Sequence, residues 1–111
     1  MKKILISEDA FGDLNDGFLF YEAQDFGLGD YFTACLRADI EGLKVTAGIH
    51  REVQGFHRLL SKVFPHGIFY TLQAEEVTIL AVIDLRRNPD WIISRLNKQK
   101  VEQCDPPKVY P

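Results

Sequence analysis

The amino-acid sequence predicts an α+β fold in which an N-terminal strand and an antiparallel helical hairpin pack on a mostly antiparallel sheet, followed by a short C-terminal helix. Two observations carry this prediction. Apolar residues recur at helical spacing in two stretches of the first half, and from Phe56 the pattern changes to the alternation typical of strands. Two helices with a short connection form an antiparallel hairpin, and successive strands pair as a meander, so the helices cover one face of the sheet.

The first half contains a strand and two amphipathic helices. Lys3 to Ile6 is predicted as a strand, and Ser7 as the cap of the first helix, because its hydroxyl can accept from free N–H groups of the first turn. In the segment from Phe26 to Asp30, glycine is predicted to supply the C-terminal turn of this helix, and Asp30 is predicted to cap the second. The apolar stripes of the two helices are Phe11, Leu14, Phe18 and Tyr21, then Phe32, Leu36, Ile40 and Leu43.

The second half is predicted as a loop, three strands and a helix. The loop covers residues 47–55, the strands 56–62, 67–73 and 77–83, and the helix 90–96. The globular domain is placed at 1–98, and 99–111, with three prolines and Cys104, is interpreted as a poorly ordered tail. The predicted core consists of Phe11, Leu14, Phe18, Phe32, Leu36, Ile40, Leu43, Ile68, Tyr70, Ile79, Ala81 and Ile83.

Length and composition exclude several classes of protein. The chain has 111 residues and 46% hydrophobic residues, which suits a single globular domain. No apolar run approaches the roughly 20 residues of a membrane helix. Cys35 and Cys104 match no metal motif, and the three histidines fall in different predicted elements, so we expect no metal and no cofactor. Two free thiols indicate a reducing cytoplasm.

Charge and aromatic residues indicate where a site lies. The net charge of -3 divides into -5 over residues 1–44 and +2 over residues 45–111. Arginine suits carboxylate and phosphate, and histidine can transfer protons near neutral pH. The candidate catalytic residues are His57, Arg58, Lys62, Tyr70 and Arg86, and the candidate partner-binding residues are Arg58, Lys62, Arg86, Arg87 and Trp91. Trp91 is also expected to pack the last helix against the sheet.

Several segments, taken in order, resemble the RelE/ParE superfamily, the toxins of bacterial type II toxin–antitoxin modules. The resemblance runs from about Ser7 to Trp91. Its marks are Ala10 and Leu14, then "YEAQDFGLGDYF", "HRLLSKVFPHGIFYTL" and "VTILAVIDLRRNPDW". The Phe-Pro-x-x-Ile-x-Tyr and Arg-Arg-x-Pro-x-Trp patterns look closer to the ParE branch, whose members include plasmid stabilisation proteins.

The resemblance implies a toxin neutralised by a cognate antitoxin, in a homodimer or a toxin–antitoxin hetero-oligomer. The ParE branch implies inhibition of DNA gyrase by binding, and the RelE branch implies ribosome-dependent cleavage of mRNA. A protein that only binds an antitoxin, without toxicity, is a third alternative. Gly67 stands where RelE-like nucleases usually have arginine, and Asp84 stands where relatives often have histidine. Together with the net charge of -3, these departures disfavour RNA cleavage, because RNA binding rests on cationic surface.

Overall fold

The computed structural model describes residues 1–100 with their side chains and the backbone of residues 101, 108 and 109. The predicted elements are present in the predicted order, with two additional two-residue strands. The elements are β1 (Lys3–Ile6), α1 (Glu8–Gln24), α2 (Leu28–Thr46), β2 (Glu52–Val53), β3 (Phe56–Leu60), β4 (His66–Gln73), β5 (Glu76–Asp84), α3 (Pro89–Val101) and β6 (Lys108–Val109).

Two segments of the structure differ in detail from the sequence prediction. The segment 47–55, predicted as loop, contains β2, which forms a hairpin with β3. Helix α3 runs to Val101, past position 98, where the sequence analysis ended the domain. Apart from β6, the predicted tail beyond that helix, including Cys104, lies outside the described residues.

One six-stranded sheet organises the domain, with strand order β2-β3-β4-β5-β1-β6. Strands β2 to β5 form an antiparallel meander, and β6 is antiparallel to β1. Strand β1 is parallel to β5, with Ile6 opposite Ile79. The parallel pair follows from the helical hairpin, because the chain crosses from β1 over one sheet face before it enters the meander.

Local sequence accounts for the helical hairpin. The Ser7 hydroxyl accepts the Ala10 N–H at 3.1 Å and caps α1, as predicted. Gly27 has a φ of 87°, a conformation that side chains disfavour, and it is the N-cap of α2. The prediction that Asp30 caps this helix was wrong, because Asp30 lies inside its first turn. Gly17 lets the two helices approach, because a Cβ there would lie 2.5 Å from the ring of Phe32.

The core has two layers, one on each face of the sheet. The helical hairpin covers one face, where Ile68, Tyr70 and Ile79 are buried. Helix α3 covers the other face, where Leu96 packs with a second cluster. Of this second layer, only Ala81 and Ile83 were predicted as core residues, and Trp91 was expected to pack the last helix on the sheet. The second layer comprises Phe56, Phe69, Leu80, Ala81, Ile83 and Leu96.

A β-bulge in β5 decides which residues face which layer. Tyr70 pairs with Ile79 and Phe69 pairs with Ala81, so Leu80 is an extra residue on β5. Ile79 therefore faces the helical hairpin, whereas Ala81 and Ile83 face α3. The prediction that all three residues belong to the core is confirmed, and the structure divides them between the two layers.

Most of the predicted core is confirmed by burial, with exceptions on α1 and α3. Phe11 is 50% exposed, so its place in the predicted core was wrong. Leu14 and Phe18 are only partly buried. Trp91 is 39% exposed and does not hold α3 on the sheet, because Leu96 and Ile92 make that contact. No helix in the described part of the chain has the length and apolarity needed to span a bilayer.

Candidate functional site

The C-terminal half of β5 has an open edge on the side where β1 ends. The Ser7 N–H donates to the Ile79 carbonyl at 2.9 Å, and the chain then turns away into α1. The neighbour β4 continues on the opposite side, where Gly67 is opposite Ile83. The sheet is therefore paired on one side only from Leu80 to Asp84.

Asp13 of α1 occupies part of this open edge. Its Oδ2 accepts the Val82 N–H at 2.9 Å, and both of its oxygens accept from the Arg95 guanidinium at 2.8 and 2.6 Å. The side chains of Asp13 and Arg95 are only 13% and 14% exposed. Burial raises the pKa of Asp13, and the Arg95 hydrogen bond opposes that shift. The pair ties α1 and α3 to the sheet edge.

A cleft opens beside Asp13, between α1, the edge of β5 and the start of α3. We call it the β5-edge cleft. Its floor is the backbone of β5, one wall is α1, and the other wall is the segment that leads into α3. The residues that line it are Asp13, Asp16, Gly17, Phe20, Tyr21, His66, Val82, Ile83, Asp84, Arg87 and Trp91.

Arg86 lies at the end of this cleft and is paired with the strand end. Its guanidinium donates to both carboxylate oxygens of Asp84, at 3.0 and 2.7 Å, and to the Tyr21 hydroxyl at 3.5 Å. The hydrogen bond from Arg86 lowers the pKa of Asp84. Burial raises the pKa of Tyr21. Arg86 is still 60% exposed, so it can meet a partner without leaving Asp84.

Arg87 and Trp91 form an exposed pair on the α3 wall. The guanidinium carbon of Arg87 lies 4.1 Å from the centroid of the Trp91 ring, a cation–π contact. Across the cleft, Phe20 of α1 is 54% exposed. Exposed aromatic and arginine side chains around a concave surface are typical of residues that dominate protein interfaces.

His66 is a residue of this cleft that the candidate lists missed. It begins β4 opposite Asp84, and its ring packs on the rings of Tyr21 and Phe32. It is 7% exposed, and its buried Nδ1 has no hydrogen-bond partner among residues 1–100. Burial lowers its pKa, so the neutral ring is favoured. The sequence places His66 directly after Phe64-Pro65, but it does not show that this residue pairs with Asp84 at the end of β5.

His57 and Tyr70 lie together on the hairpin face of the sheet, away from the β5-edge cleft. Their rings stack with centroids 5.1 Å apart. The buried Tyr70 hydroxyl accepts the Gly48 N–H at 2.9 Å and contacts Nδ1 of His50. His57 Nδ1 donates to the His50 carbonyl at 3.0 Å, which fixes the proton on that nitrogen because a carbonyl can only accept. These groups hold the connection between α2 and β2.

The structure does not bring the candidate catalytic residues into one constellation. Arg58 shares the α3 face with Phe56, and its buried Nε has no hydrogen-bond partner among the described residues. Lys62 is exposed in the connection between β3 and β4. Of the candidate partner-binding residues, only Arg86, Arg87 and Trp91 adjoin one another. Within residues 1–100, no group of three or more metal-ligating side chains is arranged to hold an ion.

Comparison with known proteins identifies the fold. No family model matches the chain, and no curated protein matches it. Among solved structures it is similar to a chain of the structure described as "Chromosomal ParDE TA system from P. aeruginosa", with a TM-score of 0.65 and 20% sequence identity. The match covers 74% of this chain and 94% of that chain. The chain therefore has a ParE-like fold, which confirms the predicted α+β class but does not separate the ParE branch from the RelE branch.

Proposed function

We propose that this chain is the toxin component of a type II toxin–antitoxin pair, and that it acts in the cytoplasm by binding its target, DNA gyrase. The observation that carries the proposal is the structural similarity to a chain of a ParDE system, which extends over 94% of that chain. The resemblance of residues 7–91 to the RelE/ParE superfamily, which rests on the sequence alone, supports the same proposal. A cognate antitoxin is the expected partner.

The arrangement of the candidate residues favours binding over RNA cleavage. General acid–base catalysis needs groups within hydrogen-bond reach of one reacting centre. The Tyr70 hydroxyl is buried and engaged by the Gly48 N–H, and Arg58 lies on the opposite face of the sheet from His57. By contrast, Arg86, Arg87 and Trp91 form a continuous exposed surface that a protein partner can reach.

Two assays on the purified protein separate the targets. A gyrase inhibitor blocks ATP-dependent supercoiling of relaxed plasmid and leaves translated mRNA intact. A ribosome-dependent endoribonuclease cleaves mRNA only during translation and leaves supercoiling unchanged. Growth arrest on expression alone, relieved by co-expression of the neighbouring antitoxin-like gene, tests the toxin assignment itself. Normal growth without that gene would favour a protein that binds an antitoxin without toxicity.

Replacing both Arg86 and Arg87 with alanine tests the proposed target surface. Exposed charges contribute little to stability, so the double variant should keep its thermal melting transition and lose toxicity. His57→Ala is the control, because a gyrase binder does not need this histidine, whereas a nuclease that used it for proton transfer would lose roughly 10²–10⁴-fold in rate. A folded and fully toxic double-arginine variant would show that another surface contacts the target.

A further inference from the structure

The open edge of β5 retains two backbone groups that have no partner among the described residues. Just after this strand, the Leu85 N–H donates to the carbonyl of Pro65, the residue before β4. The backbone groups of Ile83 therefore point to β4, and those of Val82 and Asp84 point to the other side. Asp13 accepts the Val82 N–H, and Arg87 donates to the Asp84 carbonyl. In the described part of the chain, nothing is bonded to the Val82 carbonyl or the Asp84 N–H.

These two groups have the pattern of a parallel β-bridge. In a parallel pair, a residue donates its N–H to the carbonyl of the residue before the one opposite it. Its own carbonyl accepts the N–H of the residue after the one opposite it. The Val82 carbonyl and the Asp84 N–H flank Ile83 in this way. Strand β1 already pairs with β5 in the parallel sense as far as Ile79. An incoming segment at Ile83 would run in the same direction as β1, beyond the position that Asp13 occupies at Val82.

The side chains around the cleft specify the chemistry of such a segment. A residue opposite Ile83 would point to the α3 face, where Trp91 offers an aromatic wall. Its two neighbours would point to the α1 face, where Asp16 is exposed and unpaired in the described part of the chain. Residues 8–30 contain seven acidic residues and no basic one, so this face favours a cation. The Arg87 guanidinium stays on the α3 wall over Trp91.

His66 supplies an independent indication that the cleft takes a ligand. The residue lines the cleft and is more than nine-tenths buried, yet its Nδ1 has no hydrogen-bond partner in the part of the chain that the structure describes. Buried polar atoms are nearly always satisfied, so an orphaned one in a cleft marks a place where a partner group is missing.

From these observations we infer that the β5-edge cleft binds an extended segment of a partner protein through one parallel β-bridge at Ile83, with an apolar residue against Trp91 flanked by basic residues beside Asp16. Strand addition supplies the backbone hydrogen bonds, and the side chains supply the selectivity. The inference deepens the proposed function by giving the chemistry of a partner, and it is tested on the isolated protein without any measure of toxicity.

The test uses the end-blocked tripeptide acetyl-Arg-Val-Arg-amide and ¹H–¹⁵N NMR of the full chain. Binding should shift the Asp84 amide and the Trp91 indole signals and leave the turn at Glu75, at the far end of β5, unchanged. Methylating the central valine nitrogen removes the donor to the Val82 carbonyl and should weaken binding about 2- to 12-fold, the value of one hydrogen bond. The charge-inverted peptide acetyl-Glu-Val-Glu-amide should bind more weakly than the basic one.

Asp16→Asn should weaken binding of the basic peptide roughly 1.5- to 5-fold, as expected for an exposed ion pair. Asp30→Asn is the matched control, since Asp30 is an exposed aspartate of α2 that does not line the cleft. Absence of shifts at millimolar peptide, shifts confined to other surfaces, or equal binding of the methylated peptide would overturn the inference. Equal loss in both aspartate variants would overturn the assignment of the cation to Asp16.

Discussion

The ion pair between Asp13 and Arg95 allows the sharpest test of how the elements are held together. Replacing Arg95 with methionine keeps an unbranched apolar stem and removes the two hydrogen bonds to Asp13, which measure 2.8 and 2.6 Å. Both side chains are less than 15% exposed, so the carboxylate would stay buried with the Val82 N–H as its remaining hydrogen-bond donor. Removal of one partner of a buried pair costs about 3–5 kcal/mol.

That loss is a large part of the roughly 5–15 kcal/mol that stabilises an ordinary domain. Urea denaturation of the purified variant at neutral pH measures it directly. The control is Arg51→Met, because Arg51 is exposed and forms no ion pair with a described residue, and it should leave the free energy of unfolding nearly unchanged. A loss below about 1 kcal/mol for Arg95→Met would equal that of a surface pair and refute the argument from burial.

The same variant should show a characteristic pH dependence. Burial raises the pKa of Asp13 above 3.8 in the folded protein, so the folded state binds its proton more tightly than the unfolded state. The contribution of this group to stability therefore falls as pH rises from the unfolded pKa through the folded pKa. Loss of Arg95 raises the folded pKa further, so the deficit should be largest at neutral pH and shrink in acid. A deficit independent of pH would contradict this account.

Three further predictions concern single positions. Gly17→Ala should lower the free energy of unfolding by about 1–3 kcal/mol through overpacking, whereas Gly12→Ala, with nothing within 4 Å of the new Cβ, should raise it by up to about 1 kcal/mol in thermal melts. Burial lowers the pKa of His66 below 6.5, so the stability that its neutral ring contributes is lost as pH falls from 6.5 through the lower pKa of the folded state. His66→Phe cannot titrate, so it should lose less free energy of unfolding over the same pH range, measured by urea denaturation at several pH values. Arg87→Ala should shift the emission of Trp91, the chain's one tryptophan, to longer wavelength by exposing the ring, and unchanged emission would contradict the stacking.

The sequence by itself determined the elements whose signals are local. The spacing of Phe32, Leu36 and Ile40 predicts a helix and its buried face, because one turn of helix repeats within four residues. Ser7 caps α1 through a hydrogen bond three residues away. The alternation of Ile68 and Tyr70 likewise gave the hairpin face of β4 correctly.

Tertiary structure alone decided the two faces of β5 and the composition of the β5-edge cleft. Periodicity in β5 carries no mark of the bulge at Leu80, which exists only through pairing with β4, so the sequence predicted Ala81 and Ile83 as core residues but not the layer in which they lie. The cleft joins Asp13 to Val82 and Arg95, which are 69 and 82 residues away along the chain. Contacts over such separations form only when the sheet and all three helices are in place, because no local pattern of residues encodes them.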